Sequence, residues 1–275
     1  MTVIGSSGTP RSSAQTESRD IALEARDLGH AYGGREVLAG VDFQVRRGTF
    51  ACLVGPSGVG KTTLLRCLSG LQSSTSGSVY VGGDIVNAPM PGVALVFQDY
   101  SRSLMPWSSV LHNVMLPLRA NGISKQIARA KATRALALVG LDDVAGQMYP
   151  WQLSGGMQQR VAIARALAYE PSLLLMDEPF ASVDAYTRAD LEDLMLTLQR
   201  ELALTVVLVT HDIDEAVYLS DQVIALNGRP AQVADIVEVP LGSARDQVTT
   251  KSTAEFAELR ARVHGLVRGS RGKSS

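Results

Sequence analysis

The chain has 275 residues, a net charge of −1, and 45% hydrophobic against 19% charged residues. That length buries a sizeable core, as one large domain or as a core with a subdomain, and the near-neutral charge argues against a nucleic-acid partner drawn in by a basic field. Its two cysteines, Cys52 and Cys67, stand at apolar positions outside any C-x-x-C pair, which points to buried free thiols rather than a disulfide or a metal site.

Residues 1–20 are rich in Ser, Thr and Gly and lack the apolar run of a secretory signal, so a disordered tail is expected there. No stretch approaches the ~18 consecutive apolar residues of a spanning helix, so a link to a membrane runs through a partner. Residues 21–27 alternate apolar and polar and read as a strand. Residues 28–35 hold His30, Tyr32 and a Gly33-Gly34 turn, read as a Gly-flanked loop. Residues 36–47 resume strand character, and 50–54 form a short apolar run typical of a buried strand. Residues 63–71 then read as a helix.

Between that strand and that helix the chain reads L-V-G-P-S-G-V-G-K-T-T from Leu53 to Thr63. Gly55, Gly60, Lys61 and Thr62 fill the pattern G-x-x-x-x-G-K-[ST] of a phosphate-binding loop. The glycines at 55, 58 and 60 let the backbone turn tightly and bring its N–H groups against an anion, and the helix start adds unpaired donors. The pattern assigns Lys61 to the β- and γ-phosphates and Thr62 to Mg²⁺, with Thr63 toward the α-phosphate. A plain Gly-rich turn ahead of a helix does not account for strand, spacing, Lys and Thr together.

Residues 73–77 read as a loop, 78–81 as a strand, and 93–97 as a buried strand closed by Gln98, a candidate contact to Mg²⁺ or the lytic water. From 99 to 169 helical spacing takes over. Ala128, Ala132, Ala135 and Val139 share one helical face, started by Ser124 and stopped by Gly140. Short apolar strands return at 172–176 and 205–210, joined by a helix at 186–202 whose Leu191, Leu194, Met195 and Leu198 face the core, giving a βαβ unit in a parallel sheet. The first of these strands delivers two carboxylates to the sheet's carboxyl edge. There Asp177 is placed to hold Mg²⁺, and Glu178 to polarise an attacking water. His211 ends the second strand at the same edge and suits a γ-phosphate contact. Asp184 reads as the acidic start of the next helix. Strands at 223–226 and 234–239, a linker after Pro240 and an amphipathic helix at 253–267 close the chain.

One stretch remains. Leu153-Ser154-Gly155-Gly156-Met157-Gln158-Gln159-Arg160 leads into a helix at 161–168. Ser154 is a helix-start hydroxyl, and the two glycines leave N–H groups open to an anion. One nucleotide needs one phosphate loop, so a second such start invites completion of another copy's site. The alternative is an ordinary Ser-Gly-Gly cap.

Taken together the motifs resemble those of the ATP-binding cassette (ABC) ATPases, across residues 21–240. In order they match the adenine-stacking aromatic (Tyr32), Walker A (Gly55, Pro56, Ser57, Gly58, Val59, Gly60, Lys61, Thr62, Thr63), the Q-loop (Gln98), the L-S-G-G-M-Q signature (Leu153 to Gln158), Walker B (ending Asp177, Glu178), the D-loop (ending Asp184) and the H-loop (His211). The D-loop reads S-V-D where S-A-L-D is commoner.

The resemblance implies an α/β fold: a P-loop NTPase (RecA-like) core with an N-terminal antiparallel β subdomain and an inserted α-helical subdomain. Residues 21–98 and 170–240 would form the core with the β subdomain, 99–169 the helical subdomain, and 241–275 a linker and short helix. It also implies a head-to-tail homodimer binding two ATP and Mg²⁺, each ATP lying between Walker A of one chain and Ser154, Gly155, Gly156 and Gln158 of the other. Gln98, Glu178 and His211 would carry the hydrolysis.

The Q-loop region from Gln98 to Trp107, and S-T-A-E-F-A-E-L-R from Ser252, resemble importers of nitrate, sulfonates and taurine. That subfamily implies separate integral membrane permease subunits, a solute-binding protein, and a peripheral place on the cytoplasmic face of the membrane. Leu104, Met105 and Trp107 either line the groove for a permease helix or pack inside the helical subdomain. The rival readings are an exporter's cassette ATPase, a non-transport ATPase of the same superfamily, and a P-loop GTPase. The last would need an N-K-x-D motif that the chain lacks.

Overall fold

The computed structural model describes residues 20–99 and 103–269; the tail expected at 1–20 thus falls almost wholly outside the described residues, as do Tyr100, Ser101 and Arg102 of the Q-loop region. Two sheets organise the chain. The first is antiparallel, in the order β2 (Arg35–Arg46), β1 (Ile21–Tyr32), β4 (Ser76–Val81), β5 (Asp84–Ile85). The second runs β10 (Gln232–Glu238), β9 (Gln222–Asn227), β3 (Phe50–Val54), β8 (Thr205–Thr210), β7 (Leu173–Asp177), β6 (Val93–Val96). Within it β9 through β6 are parallel, and β10 closes one edge antiparallel to β9. The sheets are stitched where Ala231 bonds to Val37 and Ala39 of β2.

Side-chain alternation along β3 explains the two-layered core. Phe50, Cys52 and Val54 enter one cluster, packed against the helices, while Ala51 and Leu53 enter the other, beneath the antiparallel sheet. Being apolar on both faces is what suits β3, β7 and β8 to a central parallel sheet. Both cysteines are free and buried, as expected.

Eight α-helices and a short 3-10 helix (Pro150–Gln152) complete the described chain: α1 (Lys61–Leu68), α2 (Val110–Ala120), α3 (Lys125–Leu138), α4 (Asp143–Gln147), α5 (Gly155–Leu167), α6 (Ala185–Glu201), α7 (Ile213–Leu219) and α8 (Ala254–Arg268). In α3 the small face Ala128, Ala132 and Ala135 is buried, and Ser124 caps its start through the Ile127 N–H. Phe256 and Val263 anchor α8 in the core.

Three expectations move. Residues 28–32 belong to β1, because the polar step at Asp27 (φ +46) is absorbed as an irregularity in the β1–β2 ladder. Helix α1 starts at Lys61 and stops at Leu68, ahead of Gly70 at φ +73. Helix α5 begins at Gly155, so both glycines of the Ser-Gly-Gly run lie in its first turn.

Candidate active site

The parallel register puts the carboxyl ends of β3, β8, β7 and β6 side by side on one edge, where open α/β sheets present ligand-binding loops. From β3 the chain passes through Gly55 to Gly60 into α1. Gly60 sits at φ +120, with the side chains of Val37 and Leu38 at its back, where a Cβ would lie 3.0 and 3.1 Å from them. It starts α1 without a side-chain cap, so the first N–H groups of the helix stay available to an anion. Lys61 is buried; its Nζ donates to the carbonyls of Gly55 at 2.9 Å and Pro56 at 3.4 Å, and lies 4.0 Å from Glu178 Oε1. Burial holds its pKa below the usual lysine value, with the charges of Glu178 and Asp177 opposing the shift.

Asp177 closes β7 and is buried. The Thr62 hydroxyl donates to its Oδ1 at 3.3 Å. Burial raises the Asp177 pKa, the Thr62 bond lowers it and Glu178 raises it further. A buried carboxylate beside a hydroxyl is a hard-oxygen donor pair of the kind Mg²⁺ takes when phosphate and water complete its shell, so these residues fit that ion. Glu178 follows at φ +44, a conformation that costs a non-glycine residue roughly 1–3 kcal/mol. Its N–H is pinned to the Val209 carbonyl of the neighbouring strand at 2.8 Å. Its Oε2 accepts from Gln98 Nε2 at 3.3 Å and meets His211 Nδ1 at 3.0 Å. One carboxylate is thus addressed by the phosphate-loop lysine and by the ends of β6 and β8. A carboxylate held this way, beside a helix start with open N–H groups, is by its chemistry a proton acceptor.

The other sequence-predicted residues stand apart from this cluster in their bonding. Tyr32 is 47% exposed and its hydroxyl donates to Gln72. Ser154 and Gly155 are exposed; Ser154 Oγ accepts from the Met157 N–H, and Gln158 Nε2 donates back to the Leu153 carbonyl. Asp184 caps α6 by accepting from the Tyr186 and Thr187 N–H groups and the Thr187 hydroxyl. Leu104 packs in the core, Met105 is half-buried and Trp107 is 76% exposed, so internal packing accounts for Leu104 and not for Trp107.

Sequence reasoning passed over Asp212 and Arg188. Asp212 caps α7 and pairs with Arg188 of α6 at 3.3 Å, tying the His211 turn to the helix that starts at Asp184. The signal was present: an Asp two residues past a strand end and immediately before I-D-E-A-V is an N-cap pattern. Thr187 was also missed. Besides bonding Asp184 it lies against Gly156, where a Cβ would stand 2.4 Å from Thr187 Cγ2.

Residues 38–181 match the family described as ABC transporter. The chain is 41% identical over 223 residues to the nitrate import ATP-binding protein of Synechococcus elongatus, covering 80% of each. It is 42% identical over 248 residues to the taurine import ATP-binding protein of Chromobacterium violaceum, covering 88% of this chain and 94% of that one. A solved dimeric post-hydrolysis state of the ATP-binding cassette MJ0796, bound to ADP and Pi, matches with a TM-score of 0.69 at 32% identity, over 79% of this chain and 98% of that one. The match spans the phosphate loop, both strand-end carboxylates and the Ser-Gly-Gly helix start, and on that basis the chain belongs to the ABC transporter family as an ATP-hydrolysing, ATP-binding subunit.

Proposed function

We propose that this subunit powers uptake of a small anionic solute, of the nitrate, sulfonate or taurine type, through separate integral membrane permease subunits fed by a solute-binding protein. Two copies act head to tail at the cytoplasmic face of the membrane. Among the described residues no helix is long and apolar enough to cross a bilayer, which fits attachment through partners. The observation that carries the catalytic half is Glu178, one carboxylate facing Gln98, His211 and Lys61 at once.

In this reading Tyr32 stacks on adenine. The loop from Gly55 to Thr63 (Pro56, Ser57, Gly58, Val59 and Gly60 between) wraps the phosphates with its N–H groups, and Lys61 neutralises β- and γ-oxygens. Thr62, Asp177 and Gln98 would hold Mg²⁺, which when bound offsets charge on the β- and γ-phosphates. Glu178 accepts a proton from the attacking water. His211 and Gln98 hold that carboxylate in place, and His211 reaches the γ-phosphate. The exposed start of α5, with Ser154, Gly155, Gly156 and Gln158, faces the γ-phosphate bound by the other copy, and Asp184 stands at the same junction. Binding closes the pair and hydrolysis opens it, which moves the permease between its two states.

The test is uptake into vesicles carrying the cognate permease and binding protein. Labelled taurine, alkanesulfonate or nitrate is expected to accumulate only with ATP on the subunit's side, and to stop with Glu178→Gln. Uptake that persists with that variant refutes the proposal.

A further inference from the structure

Tyr32 is half-exposed, yet its edge and its hydroxyl are both tied down. His30 lies two residues earlier, on the same face of β1. It is buried and meets Tyr32 edge-on, with ring centroids 4.6 Å apart and planes at 76°. The Tyr32 hydroxyl donates to Gln72 Oε1 at 2.9 Å, Gln72 Nε2 meets His30 Nε2, and His30 Nδ1 meets the Ser73 carbonyl at 3.1 Å. These contacts satisfy one another in a single direction. A carbonyl only accepts, so His30 carries its proton on Nδ1 and accepts on Nε2; the Gln72 amide donates there and leaves its oxygen to the tyrosine. The loop bearing Gln72 is itself held. The Leu71 and Gln72 N–H groups bond the Arg66 carbonyl of α1 at 3.1 and 3.2 Å, and the Thr75 N–H bonds the Gly29 carbonyl of β1 at 2.9 Å. Helix α1 therefore carries the phosphate grip at its start and the tether of Tyr32 just past its end.

The geometry points to Gln72 and His30 as positioning residues for the nucleotide base: they fix the Tyr32 ring so that its open face is ready to stack on a purine. This rests on the reading of Tyr32 as the base-stacking residue. A half-exposed tyrosine without tethers loses rotamer freedom each time a base stacks on it, whereas a tethered one has lost that freedom on folding. With its hydroxyl proton given to Gln72 at the ring edge, the ring meets a stacked base through its π-face, which every base shares. The tether therefore acts alike on ATP and GTP, and leaves a ligand without a base untouched.

Gln72→Leu removes both amide bonds at similar volume. It is expected to raise the KM for ATP and for GTP by about 3- to 10-fold with kcat unchanged, while inhibition by tripolyphosphate stays at the parental constant. Tyr32→Phe keeps the ring and loses the same tether, so it should match Gln72→Leu, and the double variant should be no worse than either single one. Tyr32→Ala removes the stacking face as well and should raise KM further. If Tyr32→Ala raises KM and Gln72→Leu does not, the tether is overturned while base stacking stands. A parental KM in Tyr32→Ala overturns both. Equal weakening of ATP and tripolyphosphate in Gln72→Leu, or full additivity in the double variant, also overturns the inference, since either places the damage outside the tether.

Discussion

Replacing Glu178 by Gln changes the charge of one side chain and almost nothing of its shape. The left-handed backbone at this position is no worse for Gln than for Glu, and the Val209 bond to its N–H is untouched. An amide oxygen in the place of Oε2 still meets both Gln98 and His211, which leaves the NH₂ group toward Lys61. The larger change is toward Lys61, 4.0 Å away, where the lost attraction is about 4 kcal/mol before screening and relaxation, at an effective dielectric near 20. Lys61 keeps its bonds to the Gly55 and Pro56 carbonyls, and a bound triphosphate replaces the missing negative charge. ATP binding should therefore survive or tighten. The chemical step loses its proton acceptor, worth about 10²- to 10⁴-fold, or roughly 3 to 5 kcal/mol of barrier. Phosphate release at saturating ATP and Mg²⁺ measures the rate, titration calorimetry the binding, and size-exclusion chromatography with ATP the closed dimer. A kcat within a few-fold of the parent would remove Glu178 from the role of base.

Other perturbations separate the parts of the site. Lys61→Ala takes away the cation inside the phosphate loop and should lower kcat/KM for ATP by about 10²-fold or more; steady-state phosphate release at parental levels would defeat that assignment. Gly156→Ala drives a methyl against Thr187 Cγ2, whose residue is bound to Asp184, and should cost about 1–3 kcal/mol in denaturant unfolding. Adding Thr187→Ser removes the offending methyl, keeps the hydroxyl and should recover most of the loss. Glu215 is buried beside Glu192 and Asp212, and burial first, then those two charges, push its pKa from 4.5 to about 8. A carboxyl raised in this way keeps its proton in the folded chain where the unfolded chain has lost it, so its contribution is complete below pH 4.5 and disappears as pH climbs toward 8. Glu215→Gln should flatten the fall in Tm across that window; an unchanged slope would exclude Glu215 as its source.

What could be read in the sequence follows from how local each feature is. The phosphate loop is contiguous, its glycines set by backbone geometry, so composition and spacing revealed it. Asp177 and Glu178 were legible because four apolar residues in a row have one economical fate, a buried strand pointing at the sheet edge. The meeting of Gln98 and His211 on Glu178 was not legible from the residues themselves. It depends on β8 lying between β3 and β7, with β6 outside β7, an order that no local pattern encodes. The extension of β1 to Tyr32 was hidden because a polar bulge at Asp27 resembles the end of a strand. Helix α7 was overlooked for its brevity, and α2 because Pro117 within it breaks the usual periodic signal. The start of α5 was read as a possible ligand surface, and the structure leaves Ser154 and Gly155 exposed there, with the Ser154 hydroxyl accepting from the Met157 N–H of its own turn.

The central claim is that each ATP is held between the phosphate loop of one chain and the Ser154 helix start of another. Mixing two inactive variants tests it most directly. Lys61→Ala chains keep an intact Ser154 start, and Ser154→Arg chains keep an intact phosphate loop. Since Ser154 is exposed, the arginine disturbs a surface and one cap rather than the core. The account predicts little phosphate release from either variant alone and clear release from the mixture, from the composite site that joins Lys61 of one chain to Ser154 of the other. A mixture as inactive as its components, with both chains folded and dimerising, would contradict it.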